Sequence, residues 1–169
     1  YQAIMLRTEY PLFKKTDKFS NYLKPILSAR ISPNNSKNLS GNDLRLTYDN
    51  IFSFNRIGSN RNIEEGRSIA LGIEYNLNDN NDKDIVKFAI ANSISDKKSK
   101  NLPSKSKLDQ TRSDFVGKMF YKPLQILDLN YNFSYDRDFK NSNYQSFSTN
   151  LNFEFFKTSF DYLSQDNNI

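Results

Sequence analysis

Leu127-Asp128-Leu129-Asn130-Tyr131-Asn132-Phe133-Ser134-Tyr135-Asp136 alternates five apolar residues with five polar ones without an error. A period of two puts successive side chains on opposite faces of an extended chain, so this stretch is a β-strand with one apolar and one polar face. The same period recurs on both sides. Upstream, Ile69, Leu71, Ile73, Tyr75 and Leu77 oppose Ser68, Ala70, Gly72, Glu74 and Asn76, and Val86, Phe88, Ile90 and Ile94 oppose Lys87, Ala89, Ala91 and Ser93. Downstream, Phe147, Leu151, Phe153 and Phe155 alternate with Ser146, Ser148, Asn150, Asn152 and Glu154, and Phe160 and Tyr162 lead a last strand.

Nearer the start, a first strand is expected between Ala3 and Leu12 and a second from Asn21 to Ser32. Ile26 breaks the alternation of the second, and Pro25 removes a ladder donor, which requires a strand start, an edge or a bulge. The total is roughly eight strands. Short turns follow Leu77, Tyr121 and Phe155, while long loops follow Ile31, Ile94 and Tyr135. Helical periodicity is absent. Strands of this length joined alternately by short turns and long loops describe an antiparallel up-and-down transmembrane β-barrel segment. The polar face is rich in Asn, Ser, Asp and Ala, small groups that suit a wet lumen, and Tyr75, Tyr121, Tyr135 and Tyr162 fall where an aromatic girdle would place them. A soluble all-β barrel or sandwich shares the same period and stays open on these grounds.

Composition narrows the chemistry. The 169 residues contain no His, Cys or Trp, with 37% hydrophobic and 14% aromatic residues and a net charge of +5. Without imidazole or thiol there is no Ser-His-Asp triad, thiol nucleophile or His- or Cys-ligated metal, and no carboxylate pair or phosphate-binding Gly loop stands out. No enzyme, cofactor or metal site is therefore expected. The charge is small and spread out and points to no nucleic-acid partner; its one cluster, Lys97, Lys98, Lys100, Lys105 and Lys107, reads as a solvated loop before an anion site. No apolar run reaches the roughly 20 residues of a spanning helix. Tyr1 opens inside a strand pattern without Met, which suggests a fragment, and long outer loops are expected near residues 32–66 and 95–112.

The first of these loops contains Leu44 to Gly66, which interleaves Tyr48, Phe52 and Phe54 with Asp49, Asn50, Asn55 and Arg56. A disordered tether would lack such aromatics, so a packed, structured loop is expected. Arg56 and Arg61 would pair with phosphates or with Asp49, Glu64 and Glu65 of their own loop, internal pairing being favoured by proximity in sequence.

Several segments in this order resemble the LptD (OstA) family, the lipopolysaccharide-assembly proteins of the Gram-negative outer membrane. They are Tyr10-Pro11-Leu12, Leu23-Lys24-Pro25-Ile26, Ile31-Ser32-Pro33-Asn34, Asp49-Asn50-Ile51-Phe52-Ser53-Phe54-Asn55-Arg56 and Ile63-Glu64-Glu65-Gly66. The resemblance runs from Glu9 to Asp166. Two departures stand out: Arg61-Asn62 where the family has Asp-Arg, and Glu65 in place of the first Gly of a pair. The resemblance implies a non-enzymatic translocon in the cell outer membrane that inserts lipopolysaccharide into the outer leaflet. Its implied partners are lipopolysaccharide, outer-membrane lipid, the periplasmic lipopolysaccharide-transport bridge and a plug lipoprotein of the LptE type. It also implies an upstream periplasmic jellyroll domain, and lateral-gate strands outside this stretch. On this reading Asp49, Asn50, Phe52, Asn55, Arg56, Glu64 and Gly66 belong to an outer-loop cap. Asp128, Asn130, Asn132, Ser134 and Asp136 would face the lumen, with Leu127, Leu129, Tyr131, Phe133 and Tyr135 toward lipid. Two alternatives remain: a small eight-stranded outer-membrane barrel with an anchoring or adhesin role, against which the ending without a final aromatic speaks, and a soluble barrel that binds an apolar ligand.

Overall fold

The computed structural model describes residues 2–33, 37–41, 44–57 and 63–166. Tyr1, Asn34, Arg61 and Asn62, named above, lie outside the described residues. Among the described residues nine antiparallel strands form one sheet: β1 (Ile4–Glu9), β2 (Leu12–Lys15), β3 (Phe19–Ser32), β4 (Gly66–Asp79), β5 (Asp84–Ser95), β6 (Phe115–Leu124), β7 (Leu127–Tyr135), β8 (Ser142–Asn152) and β9 (Lys157–Gln165). Consecutive strands pair, except that β1 and β2 both lie along β3. They occupy one lane, which reconciles nine strands with the eight read from the pattern.

The split of the first lane has a local cause. Pro11 has no N–H to give the ladder, and the expected single strand breaks at Tyr10-Pro11. Opposite the break lies Pro25, whose carbonyl accepts from the Tyr10 N–H at 3.1 Å. The proline in the interior of β3 therefore sits beside an interrupted edge lane, while its other neighbour β4 pairs without a shift from Phe19↔Asp79 to Ser32↔Gly66.

The sheet is open, with β1 and β2 at one edge and β9 at the other. Its short connections lie at one end (residues 80–83, 125–126 and 153–156), and the long ones (33–65, 96–114 and 136–141) at the other. Directly paired residues share a face, so the register sorts every side chain. One face carries Leu27, Ile69, Leu71, Ile73, Ile90, Met119, Tyr131, Phe147 and Phe160. Nothing covers it among the described residues: Leu71 is 51% exposed and Phe160 62%. Tyr75 and Tyr162 fall in one cross-strand row with Phe88, Met119, Tyr131 and Phe147, one row from Tyr121 and two from Tyr135.

Phe133 is the exception on that face, only 9% exposed. It pairs with Gly117, and a Cβ on Gly117 would stand 2.3 Å from the Phe133 ring. The glycine lets the ring lie flat across the neighbouring strand, flanked by Tyr131 and Tyr135 at centroid distances of 5.5 and 5.6 Å. Aromatic cover of a strand glycine restores the packing that the missing side chain removes.

The opposite face carries the core. Ile26, Ala70, Ala89, Ala91 and Val116 from the sheet cluster with Leu46, Tyr48, Ile51, Phe52 and Ile57 from the first long loop and Leu102 and Leu108 from the second. Ile26 disturbs the alternation of β3 because it is an apolar residue on the polar face, placed where the loop docks. Each fully buried side chain of this kind contributes about 1.5–3 kcal/mol. The small residues of this face thus have a second use, correcting their reading as a lining for water alone: Ala70, Ala89 and Ala91 are dry and form the floor under the loop.

Candidate functional site

Residues 44–57 of the loop between β3 and β4, together with Glu64, lie on the polar face instead of standing over the end of the sheet. The first turn of this segment is pinned by Asn50, whose Oδ1 accepts from the Thr47 N–H at 2.9 Å and whose Nδ2 donates to the Arg45 carbonyl at 3.0 Å. That turn aims Tyr48, Ile51 and Phe52 at the sheet. Phe52 enters the gap left by Gly72: an added Cβ there would meet the Phe52 ring at 2.6 Å and Ala91 Cβ at 2.9 Å. Arg7 of β1 covers Phe52 from outside, 5.4 Å from the ring centroid.

Tyr48 donates to Glu74 Oε1 at 3.0 Å. Burial first, then this bond to a carboxylate, holds its phenol far above the ordinary range, so it remains a donor at every physiological pH. Glu74 also meets Lys24 at 2.8 Å. Asp49, at the tip of the turn, pairs with Lys118 of β6. Both groups are substantially exposed, so this pair contributes little to stability.

Deeper in, Arg56 and Glu64 form a two-point pair, Nε to Oε2 at 2.9 Å and Nη2 to Oε1. Arg56 also donates to Ser93 Oγ at 2.6 Å on β5 and Ser68 Oγ at 3.1 Å on β4. Arg30 of β3 donates through Nε to the Phe54 carbonyl at 3.2 Å and through Nη2 to the Glu64 carbonyl. Arg30, Arg56 and Glu64 are 3%, 4% and 1% exposed. Fork-to-fork pairing of guanidinium and carboxylate fixes orientation as well as energy, so the loop is locked to three strands at one point.

The second long loop buttresses the first. Leu39 N–H donates to the Asn101 carbonyl at 2.7 Å, Ser106 Oγ to the Leu46 carbonyl at 3.2 Å, and Ser99 Oγ to Glu65 Oε1 at 2.8 Å. Gly66 starts β4 at φ +91, a backbone state that disfavours any side chain. Of the lysine cluster, Lys97, Lys98, Lys100 and Lys107 are exposed, with Lys107 Nζ 3.9 Å from Asp114 Oδ1.

The structure thus brings Asp49, Asn50, Phe52, Arg56, Glu64 and Gly66 into one docked unit, with Asn55 half-buried beside them. Arg56 takes the internal carboxylate partner. Phe54 departs from expectation, being 42% exposed and contributing its carbonyl instead of its ring.

The five polar residues of β7 and its end divide. Asn130 and Asn132 line an open concavity of about 500 Å³ together with Glu74, Asn76, Lys87 and Lys118. Asp128 shares their face, bonded to Lys122 Nζ at 2.6 Å and Asn152 Nδ2 at 3.4 Å. Ser134 lies on the same face as Asn130 and Asn132, but it and Asp136 are buried and do not line that space. Ser134, 1% exposed, donates to Asp114 Oδ2 at 3.0 Å beneath the loops. Asp136 closes its own turn, accepting from Lys140 N–H at 2.9 Å and Asn141 Nδ2 at 2.8 Å. Burial opposes its charge, yet those donors hold its carboxyl below the usual range.

Sequence reasoning missed Arg30, Ser68 and Ser93 in the network, and Leu102 and Leu108 in the second loop. The available signal was a cluster of small residues (Ser68, Ala70, Gly72, Ala89, Ala91 and Ser93) on adjacent strands, which marks where another segment can approach.

A protein-family model described as LptD, LPS transport system D, matches residues 3–169. A search of curated proteins finds no match.

Proposed function

The chain belongs to the LptD family, LPS transport system D, and from that membership we propose that it forms part of the wall of an outer-membrane β-barrel that inserts lipopolysaccharide into the outer leaflet. The family is a transport and assembly family of the outer membrane. The observation that carries the reading is the match across essentially the whole chain. The two sheet faces support it physically.

On this reading the exposed apolar face meets lipid hydrocarbon, and the long connections lie at the outer end. The docked Leu44–Gly66 loop narrows the lumen from above and limits leakage. Asp128, Asn130 and Asn132 form a hydrated inner wall past which sugars or a plug lipoprotein of the LptE type would lie. Lipopolysaccharide would arrive through the periplasmic transport bridge. No covalent step is needed: the work is to give an amphipathic lipid a polar route for its sugars and an apolar exit for its acyl chains.

The chain has no cysteine, so single introduced thiols report position cleanly. Thiols at Leu71, Ile73 or Phe160, carrying a fluorophore, are expected to be quenched by brominated lipid in the native membrane. Thiols at Asn130 or Asn132 are expected to react with a water-soluble reagent instead. The reverse pattern would reject the lipid-facing assignment. For the activity, depletion of the protein should reduce newly made lipopolysaccharide at the cell surface, and re-expression should restore it; unchanged delivery would reject the transport role.

A further inference from the structure

The buried network that holds the loop is unbalanced in charge. Arg30 and Arg56 bring two positive charges, Glu64 brings one negative, and all three side chains are no more than 3% exposed. Glu64 spends both oxygens on Arg56 and stands 3.8 Å from Arg30 Nη1, beyond hydrogen-bonding distance. Arg30 Nη1 is buried and makes no hydrogen bond to the protein. A guanidinium cannot shed its proton to relieve this, and a buried net charge carries a desolvation cost of several kcal/mol.

Next to it lies a cavity of about 10 Å³, lined by Arg30, Arg56, the hydroxyl-bearing Ser28, Ser53 and Ser68, and the apolar residues Met5, Ile51 and Ala70. A space of that size admits a single water-sized particle and excludes phosphate or sulfate. Among the described residues its lining carries positive charge and hydroxyl groups and no carboxylate.

We propose that this cavity is a binding site for one small monovalent anion of the chloride type, held between Arg30 of β3 and Arg56 of the docked loop. The ion balances the second guanidinium and supplies the acceptor that Arg30 Nη1 lacks. A neutral water offers an acceptor too but leaves the charge uncompensated. Because the ion touches both strand and loop, its occupancy sets how tightly the loop is held. The assignment concerns the network alone and does not depend on the transport reading.

The test uses the intact protein purified in detergent. Crystals grown or soaked in sodium bromide are expected to show an anomalous peak at hydrogen-bonding distance from Arg30 Nη1 and Ser28 or Ser68. In solution, replacing gluconate by chloride at constant ionic strength should raise the melting temperature by a few degrees along a saturable curve, as ligand linkage requires. Arg30→Gln removes the excess charge and is expected to abolish both the peak and the chloride dependence. Absence of a bromide peak in the wild-type crystal, with water density only, would overturn the proposal, as would a chloride dependence that survives in Arg30→Gln. Should that variant fail to fold, the wild-type bromide map decides by itself.

Discussion

Glu64 holds a buried guanidinium by both of its oxygens, so its removal leaves Arg56 charged and unpaired in a dry place. Glu64→Gln is expected to cost about 3–5 kcal/mol, the range for breaking one side of a buried pair. The loss should appear first as faster hydrogen exchange across residues 44–57 while the strands stay protected; uniform exchange would contradict a local lock. Gly72 makes a sharper test of the docked geometry. Gly72→Ala places a methyl where the Phe52 ring and Ala91 already stand, and overpacking of this kind costs about 1–3 kcal/mol. A Phe52→Ala change in the same chain should restore part of that loss, a coupling that a double-mutant cycle reads directly. Asp114, fully buried beside Ser134 and Asn143, supplies a pH dependence. Burial raises its carboxyl above the ordinary value, and the hydrogen bonds from Asn143 and Ser134 only partly offset this. The folded state therefore holds its proton to higher pH than the unfolded one. This contribution is fully present below the ordinary carboxylate pKa and is lost as pH rises through the raised folded value. Urea midpoints in detergent across that interval should fall with pH by less in Asp114→Asn than in the parent.

Among the elements, the strands were readable and the long loops only half so. Alternation located every lane because the burial of one face repeats along each strand with period two. Pro11 and Pro25 are visible in the sequence, yet that one breaks the edge lane opposite the other is a matter of register between distant segments. The Leu44–Gly66 loop was recognisable as structured from its aromatics. Its docking on the sheet, the escape of Phe54 and the part played by Arg30 were not, because nothing local says which strand face a loop will cover. The second loop read as a lysine-bearing surface, while Leu102 and Leu108 were overlooked because isolated leucines carry no period. The two faces of the sheet can be tested against each other. In a lipid bilayer Leu71→Arg should destabilise by about 2–4 kcal/mol if the site lies near the midplane, whereas Asn132→Arg should cost little. Equal costs in a urea titration would remove the distinction between the faces.

At the scale of the whole molecule, an open sheet presents unpaired backbone at β1 and β2 and at β9, together with a broad uncovered apolar face. Each favours association in water. The chain of residues 1–169 expressed alone is expected to sediment as large assemblies in detergent-free buffer and to become dispersed in detergent; a monodisperse monomer without detergent would argue for the soluble alternative. The amino-acid order was enough to establish an all-β sheet, its lanes, the separation of long from short connections and membership of a lipopolysaccharide-transport family. Those properties repeat with short periods or sit in contiguous motifs. Tertiary structure alone decided that the polar face has a dry half and a wet half, that Ser134 and Asp136 serve the loop end, and that the Glu64 carboxylate pairs with Arg56 while a second buried arginine holds the Glu64 carbonyl. These depend on residues tens of positions apart meeting across paired strands, where packing and desolvation choose the partner and local pattern has no influence.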